Sequence, residues 1–484
     1  MSIPTETGGA IADRLRALVG AENVDTDPDE LRAASVDRFK KYQSVHGIYD
    51  GPFPCAIVYA RSTDEVARVL AFADEEGLNV VPRTGRTGTE GGLETTVPDT
   101  VVLDGSRMAA ILAVDEEDMQ ATVQCGVPLQ VLEDRLREQG LTTGHSPQSK
   151  PLAQYGGLVA TRSIGQLSTL YGGIEDLVVG LEAVLPDGTV TRIKNVPRRA
   201  AGPDVRHLVI GNEGALCFVT EVTVKVFRHR PENHRFHGYL VDDVRTGVAV
   251  LREVVAEGYR PSVCRLYSPD DATQHFAEVS QNRWLLVFVA EGPRRVAEAT
   301  SAGIEDVVAA HPHDVVDPAV VEAWFAALNW GQDKIDAERA SMLATSRLGY
   351  TTEVSCSWSQ VTELYESVVR RIETSYPFAG DLTLLGAHSS HSYQTGTNLY
   401  FVYDYRIDCE PREEIEKYHK PLNAIIVEEA LRVGGSMVHH HGIGKYRAAW
   451  TAEEHGTAYP LLTRLKTALD PHGTMNRGTI FAES

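Results

Sequence analysis

Short apolar runs and stretches of helical spacing alternate in the first part of the chain. Residues 10–50 have the pattern of two short helices, and the second begins at Asp27 with a proline in its first turn. Residues 56–59 form an apolar run that predicts a buried strand. A capping box at 62–65 opens a helix with one apolar face, and residues 78–81 predict the next strand. The pattern indicates a βα unit followed at once by a glycine-rich turn.

The following stretch, up to residue 230, is richer in strands. The predicted strands are residues 101–104, 111–114, 121–123 and 218–226, and a hairpin spans 177–193 around a turn at 186–188. Residues 218–226 alternate apolar and polar side chains, which is typical of a strand with one buried face.

Residues 231–430 mix strands with longer helices. Their pattern predicts strands at 284–290 and 398–405 and helices at 296–307 and 360–374. The change in pattern places a domain boundary near residue 230, and the tail is again punctuated by glycine. The expected segments are residues 1–50, 51–230, 231–430 and 431–484.

Composition indicates a folded protein of 484 residues, since 43% are hydrophobic and 23% are charged. A formal net charge of −21 argues against nucleic-acid binding, which needs a basic surface to neutralise phosphates. The start of the chain has neither the basic nor the apolar region of a secretion signal. The six cysteines are scattered without a CxxC pair, so we expect reduced thiols and a cytoplasmic location.

Several glycine-rich turns are candidates for ligand binding. Residues 82–92 follow a predicted strand and could offer backbone N–H groups to a phosphate, but they match neither the GxGxxG nor the P-loop pattern. By itself this loop favours a plain tight turn. Further turns lie at 156–157, 161–165, 172–173 and 211–214. These suit either an extended ligand along the main chain or a strand-rich domain with many tight turns.

Three consecutive histidines, His439, His440 and His441, stand between glycines near the end of the chain. Metal binding is one interpretation, and His388 and His391 are then the obvious further donors. Consecutive residues point in different directions, however, so a strand would place only the first and third on one face. The alternative is a site where imidazoles carry protons and donate hydrogen bonds to an anion.

Together these features resemble the FAD-binding flavoproteins of the vanillyl-alcohol oxidase (PCMH-type) family over about residues 50–484. Within it the chain is most similar to the alkyldihydroxyacetonephosphate synthases. The matching stretches are residues 161–163, 171–179, 202–204, 439–445 and 469–477. The resemblance implies an α+β fold, with a two-subdomain FAD-binding domain at 51–230 and an α/β cap with an antiparallel sheet at 231–430. The tail at 431–484 would return to complete the flavin site.

The resemblance also implies the site residues. The catalytic group is Tyr400, as proton donor and acceptor, with His439, His440, His441, Arg265 and Arg339, which lies nineteen positions before Trp358. The two arginines and the histidines would bind an anionic group in an otherwise acidic protein. The implied FAD-binding residues are Pro82, Arg83, Thr84, Gly85, Arg86, Thr87, Gly88, Gln148, Ser149, Gly156, Gly157, Thr161, Arg162, Ser163, Ile164, Glu213, Gly214 and Val219.

Departures from the family pattern refine these expectations. Relatives that oxidise 2-hydroxy acids carry a His-x-Gly-Asp-Gly-Asn-x-His segment, but this chain has Tyr393 and Tyr400 at the two histidine positions. Tyrosine is a poor metal ligand at neutral pH because its pKa is about 10, so we expect no metal. Thr87 lies near the position of the flavin-bound histidine of covalent relatives, which predicts non-covalent FAD. Glycine is expected where Thr84, Arg86 and Cys217 stand.

The resemblance implies a transferase that exchanges the acyl group of an acyl-dihydroxyacetone phosphate for a fatty alcohol through a flavin N5 adduct. The alternative is an oxidase or dehydrogenase that transfers hydride from an alcohol or 2-hydroxy acid to N5. A flavin-free binding protein is the third hypothesis, and it would be colourless. We expect an anionic, lipid-like small substrate and a homodimer. Peripheral membrane contact stays open, although no basic amphipathic helix stands out.

Overall fold

The N-terminal part of the computed structural model, which describes residues 6–482, contains a four-stranded sheet. The strands are β1 (Val24–Asp25), β2 (Ala56–Tyr59), β3 (Asn79–Arg83) and β4 (Thr100–Asp104), and the helices are α1 (Glu6–Val19), α2 (Pro28–Ala34), α3 (Lys41–Val45) and α4 (Thr63–Glu75). The strand order is β1-β2-β4-β3, in which β2, β4 and β3 run parallel. The Ser62 hydroxyl accepts the N–H of Glu65 and so caps α4, as predicted.

A second, five-stranded sheet follows. Its region contains β5 (Ile111–Asp115), β6 (Gln120–Gln124), β7 (Leu141–Thr142), β8 (Val178–Val184), β9 (Val190–Ile193), β10 (Phe218–Lys225), β11 (Phe227–Arg228), α5 (Leu129–Arg137), α6 (Tyr155–Ala160), α7 (Ser168–Tyr171), α8 (Ile174–Leu177) and α9 (Arg206–Val209). The order is β5-β6-β10-β8-β9, all antiparallel, while β7 pairs with β11.

The third sheet has eight strands, and seven α-helices belong to its stretch of the described chain. The elements are β12 (Arg235–Val241), β13 (Val263–Tyr267), β14 (Trp284–Ala290), β15 (Asp314–Val316), β16 (Arg347–Ser357), β17 (Leu382–Ser389), β18 (Ser392–Tyr393), β19 (Gly396–Arg406), α10 (Val244–Ala256), α11 (Pro269–His275), α12 (Arg294–Ala309), α13 (Pro318–Ala326), α14 (Gln332–Thr345), α15 (Val361–Ser375) and α16 (Lys420–Arg432). The order is β15-β12-β14-β13-β17-β19-β16, all antiparallel, with β18 paired to β19. We call this sheet the cap sheet.

The C-terminal tail, with α17 (Thr451–His455) and α18 (Tyr459–Leu469), joins two of the sheets. Its residue Ser436 forms an antiparallel bridge with Ser355 of β16. Further on, the Val80 N–H donates to the Thr474 carbonyl and the Asn476 N–H donates to the Val80 carbonyl, both at 2.8 Å. The tail therefore extends the first sheet beside β3 and also touches the cap sheet, as the resemblance implies.

Most predicted elements are present within a few residues of their expected limits, with two differences. The N-terminal stretch forms three α-helices rather than two. Strand β10 is buried along nearly its whole length, although alternation predicts one exposed face. The reason is its central place between β6 and β8, with helix α6 packed against it. The predicted segment limits at 50, 230 and 430 stay predictions.

Three large apolar cores stabilise the fold: one between α1, α4 and the first sheet, one around the second sheet, and one beneath the cap sheet. All six cysteines are unpaired. Among the helices of the described chain, none has both the length and the apolar character to cross a bilayer.

Candidate active site

A deep cleft with an empty volume of about 1660 Å³, its mouth included, lies between the two N-terminal sheets, the cap sheet and the tail. Its walls include every residue predicted to bind the cofactor except Arg162. The Arg162 side chain is instead largely exposed and forms an ion pair with Glu175 at 3.2 Å. Tyr400, His440, His441 and Arg265 also line the cleft. Sequence features spread over the whole chain therefore meet at one place.

The glycine-rich loop that follows β3 is held rigidly on one side and open on the other. A Cβ at Gly85 would lie 2.6 Å from the Leu152 carbonyl oxygen, so only glycine fits. At Arg86 the backbone is left-handed, with φ of 56°. Among the described residues, the N–H groups of Arg86, Thr87 and Gly88 have no acceptor, and a Cβ on Gly88 would meet no atom within 4 Å. Unpaired N–H groups around a left-handed turn form an anion cradle.

Two departures from the family's glycine pattern have structural roles. The Thr84 hydroxyl accepts the N–H of Gly157 at 3.1 Å, and so ties the loop to helix α6. Cys217 is buried in the core of the second sheet, where burial raises the pKa of its thiol to about 12. Neither side chain blocks the cradle. The residues present therefore fit the phosphates of a dinucleotide such as FAD.

Glu353, which sequence reasoning missed, organises the histidine run. This residue of β16 is fully buried, and its Oε1 accepts the backbone N–H groups of His439, His440 and His441 at 3.3, 2.9 and 2.7 Å. Its Oε2 lies 2.9 Å from a terminal guanidinium nitrogen of Arg447, which is also fully buried. The carboxylate thus fixes the tail's backbone against the cap sheet.

Charge differs sharply among the clustered histidines. Burial opposes ionisation of His441, but the carboxylates of Glu353 and Glu90, 3.3 and 3.4 Å from its Nδ1, outweigh burial and raise its pKa well above the usual range. Burial lowers the pKa of His439 to about 4 and holds the pKa values of His440 and His391 well below normal. At neutral pH the cleft therefore contains one imidazolium among neutral imidazoles.

Tyr400 is the centre of a row of side chains on the cap sheet. In register across β13, β17, β19 and β16, Tyr267 pairs with His388, His388 with Tyr400, and Tyr400 with Glu353. Directly paired residues point to the same face of an antiparallel sheet. The Tyr400 ring stacks on His388 at 4.7 Å and on His440 at 5.7 Å, and Thr351 donates a hydrogen bond to its hydroxyl at 2.9 Å.

The two predicted arginines are in different environments. Arg265 on β13 is only 2% exposed and donates to Gln166 at 2.8 Å, while its Nε has no partner among the described residues. Rings of Tyr267 and Trp324 lie against its guanidinium. Arg339 lies on the exposed face of α14, outside the cleft wall. Its role in substrate binding stays a prediction.

Two clusters near the cleft have metal-ligand composition. One is His391, His439 and His440, and the other is Glu90, Glu353 and His441; in each, the candidate ligand atoms lie within 4.8 Å of one another. In the second cluster the Arg447 guanidinium already contacts both carboxylates, at 2.9 and 3.1 Å. The expectation of a metal-free site stays a prediction.

Comparison with known proteins gives the family. A family model described as an FAD binding domain matches residues 54–194, and one described as FAD linked oxidases, C-terminal domain, matches residues 230–480. The chain is 60% identical to the uncharacterized FAD-linked oxidoreductase YgcU of Escherichia coli K12, over 98% of each chain. It is 26% identical to glycolate oxidase subunit GlcD of Bacillus subtilis, over 98% of this chain and 97% of that one.

Similarity to alkyldihydroxyacetonephosphate synthases is lower than to YgcU. The Caenorhabditis elegans enzyme is 27% identical, over 86% of this chain and 74% of its own. A solved structure of such a synthase superposes with a TM-score of 0.78 at 22% identity, covering 98% of this chain and 86% of the other. The predicted α+β fold and FAD cofactor are confirmed. The chain belongs to the FAD-linked oxidase family, and its fold is that of the PCMH-type flavoproteins.

Proposed function

We propose that this chain is an FAD-dependent oxidoreductase that oxidises a small hydroxyl compound carrying an anionic group, such as a 2-hydroxy acid. The observation that carries the proposal is the buried Arg265 at the cleft wall, whose Nε lacks a partner among the described residues. No carboxylate of the described residues is in ion-pair contact with this buried cation, so an anion bound there would gain a charge-assisted contact. YgcU and GlcD are named as an oxidoreductase and an oxidase, which supports the same reaction class.

Different residues of the cleft would bind FAD and the substrate. The glycine loop and the neighbouring turns, from Pro82 to Val219, would hold FAD without a covalent bond, because Thr87 offers no imidazole for attachment. Arg265 would bind the anionic group of the substrate. The Tyr400 hydroxyl would orient the reacting oxygen, and the His441 imidazolium would stabilise negative charge that develops nearby.

FAD, when bound, supplies a two-electron acceptor. The substrate loses a proton from its hydroxyl group and a hydride from the adjoining carbon, and thereby becomes a carbonyl compound. His439 and His440 are neutral near pH 7, so neither would supply a proton to the substrate.

The test is an anaerobic titration of the purified yellow protein with 2-hydroxy acids and with neutral alcohols of equal size. We expect the visible flavin band to bleach with a hydroxy acid and to return on addition of an artificial electron acceptor. Bleaching by the neutral alcohols alone would contradict the role given to Arg265. A protein that no member of either set reduces would overturn the proposal.

A second candidate is the redox-neutral acyl-for-alkyl exchange of the synthases. The stacked Tyr400 and His440 in the cleft, together with the run at 439–445, favour it. Palmitoyl-dihydroxyacetone phosphate should then change the flavin spectrum without an acceptor, and a fatty alcohol should restore the spectrum and release an ether. A lipid-like substrate and peripheral membrane contact belong to this candidate, and co-sedimentation with anionic vesicles would test the contact.

We also propose a cytoplasmic homodimer. Six unpaired cysteines are compatible with a reducing compartment. Light scattering coupled to size exclusion would test the dimer, and fractionation of cells would test the location.

A further inference from the structure

His388, a candidate metal donor from the sequence, forms a buried pair with Asp271 at the cleft, and the proposed function does not use this pair. His388 lies on β17 and lines the cleft, while Asp271 lies on helix α11 and is fully buried. The His388 Nδ1 is 2.5 Å from Oδ2 of Asp271. The His388 ring also stacks on Tyr400, so the pair adjoins the centre of the site.

The pair fixes which ring nitrogen carries the proton. Burial raises the pKa of the Asp271 carboxyl, but His388, with His275 and Arg265, outweighs burial and lowers it, so Asp271 is ionised. An ionised carboxylate is only an acceptor, so Nδ1 must be the donor and Nε2 is left as the ring's proton acceptor. Burial, opposed by Asp271 and aided by Arg265, lowers the pKa of His388 and keeps its ring neutral.

The neighbours of His388 are those of a substrate site. Tyr267 lies beside it on β13, with the rings 5.2 Å apart, and Arg265 lies 4.9 Å from the same Tyr267 ring. The other titratable groups facing the pair are His275 on α11, whose Nε2 is 3.5 Å from Oδ1 of Asp271, and Tyr400 on β19. The anion-binding guanidinium and the proton-accepting imidazole are thus placed side by side against one aromatic ring.

We propose that His388, oriented by Asp271, is the general base that takes the hydroxyl proton of a substrate whose anionic group is bound by Arg265. The inference rests on the proposed oxidation. The substrate O–H bond breaks, a new N–H bond forms at Nε2, and the bonding electron pair stays on the oxygen, which then forms the carbonyl as the carbon loses its hydride. Asp271 stabilises the imidazolium that results. Because Arg265 and His388 both lie near the Tyr267 ring and line the same cleft, the substrates would be short acids with the hydroxyl close to the anionic group, as in 2-hydroxy acids.

The first experiment measures the rate of flavin reduction by anaerobic stopped flow across pH, using the hydroxy acid that bleaches the wild-type protein. In His388→Gln we expect a loss of about 100-fold or more, because general-base catalysis contributes 10²–10⁴-fold. The dissociation constant of the acid should change only a few-fold. The acidic limb of the wild-type pH profile, which reports protonation of the base, should disappear.

Two further variants separate the base from a structural role. Imidazole added to His388→Ala should restore part of the reduction rate, which a merely structural histidine would not allow. His472→Gln is the matched control, since His472 forms a histidine–carboxylate pair with Asp74 at 3.0 Å on the surface outside the cleft. We expect the flavin in this control variant to be reduced at a rate within about threefold of the wild-type rate.

Each outcome decides a different point. One outcome is that hydroxy acids bleach the flavin of the wild-type protein while His388→Gln keeps the reduction rate and the acidic limb of its pH profile. In that case the assignment of His388 as the base is wrong and the proposed function stands. If His388→Ala binds FAD and the acid normally but imidazole does not restore its rate, the assignment of the base also fails. If no hydroxy acid or alcohol bleaches the wild-type protein, the proposed function and this inference both fall.

Discussion

Glu353 and Arg447 form a fully buried ion pair, 2.9 Å apart, that joins the cap sheet to the C-terminal tail. Glu353 also accepts three consecutive backbone N–H groups, so its charge is satisfied although no water reaches it. Such a pair does little for stability against an apolar substitute, but losing one partner leaves a buried charge uncompensated. The position of the histidine run therefore depends on Glu353, which is far from it in sequence.

Replacing the Glu353 carboxylate should lower the stability of the protein. In Glu353→Gln we expect a loss of about 1.5–3 kcal/mol in the free energy of unfolding, because the charge-assisted hydrogen bonds to Arg447 and to the backbone of the histidine run are lost, while Arg447 keeps Glu90 as a counter-charge at 3.1 Å. The control is Glu428→Gln, which breaks a comparably short but exposed pair with Arg371 and should cost about 0–1 kcal/mol. Urea denaturation measures both. Equal losses in the two variants would contradict the role of burial.

The neutral histidines predict acid sensitivity. Burial lowers the pKa of His439 to about 4 in the folded state, below the ordinary value of about 6.5. A lowered histidine pKa means that the unfolded chain binds the proton more readily, so stability falls as the pH drops from about 6.5 towards 4. His439→Gln should remove at most about 3 kcal/mol of that loss at pH 4. Denaturation curves measured from pH 7.5 to 4 give the free energy of unfolding at each pH. The same fall in this free energy with pH in the variant and in the wild type would contradict the prediction.

The close approach at Gly85 predicts a defect in cofactor binding. Gly85→Ala would push the loop away from the Leu152 carbonyl and should weaken FAD binding by about tenfold or more, a difference of about 1.4 kcal/mol. Gly380→Ala is the control, because a Cβ there meets nothing within 4 Å. Fluorescence titration of the apoprotein with FAD measures both. An unchanged affinity in Gly85→Ala would show that this loop does not hold the cofactor.

The buried arginine should determine the affinity for anionic substrates. Arg265→Gln removes a charge-assisted contact and should weaken binding of the acid by about 1.5–3 kcal/mol, roughly 10- to 150-fold, with FAD still bound. The same measurement on Arg339→Gln tests the predicted second arginine. A comparable loss there would mean that α14 brings Arg339 to the substrate, whereas an unchanged affinity would fit its exposed position in the structure.

Tyr400→Phe should lower turnover by about 10²–10³-fold while FAD remains bound, because the hydroxyl that orients the reacting oxygen is lost and the ring stack is kept. Thr351→Val is its control, since it removes only the donor to that hydroxyl and should have a much smaller effect. Steady-state rates and the flavin absorbance of each variant provide the measurement. Retained activity in Tyr400→Phe would contradict the role assigned to the Tyr400 hydroxyl.

The spacing of residues along the chain is enough to predict the local elements and the glycine-rich turns. Apolar spacing is a property of neighbouring residues, so the strand at 284–290 was predicted with the limits it has in the structure. Glycine at position 85 stands out in the sequence, although the steric demand that it meets comes from a tertiary contact with the Leu152 carbonyl. The resemblance then brought Tyr400 and the histidine run to one site, and the cleft contains both Tyr400 and two of the three histidines.

Which charged side chains meet depends on the tertiary fold. Glu353 and Arg447 are 94 residues apart, and Asp271 and His388 are 117 apart. No periodicity links such pairs, because sheet register and the return of the tail set their distance. The same is true of protonation: the adjacent His440 and His441 have opposite pKa shifts. The residue type alone cannot predict this difference, because the pKa of each histidine depends on its burial and on which carboxylate the fold brings into contact with it.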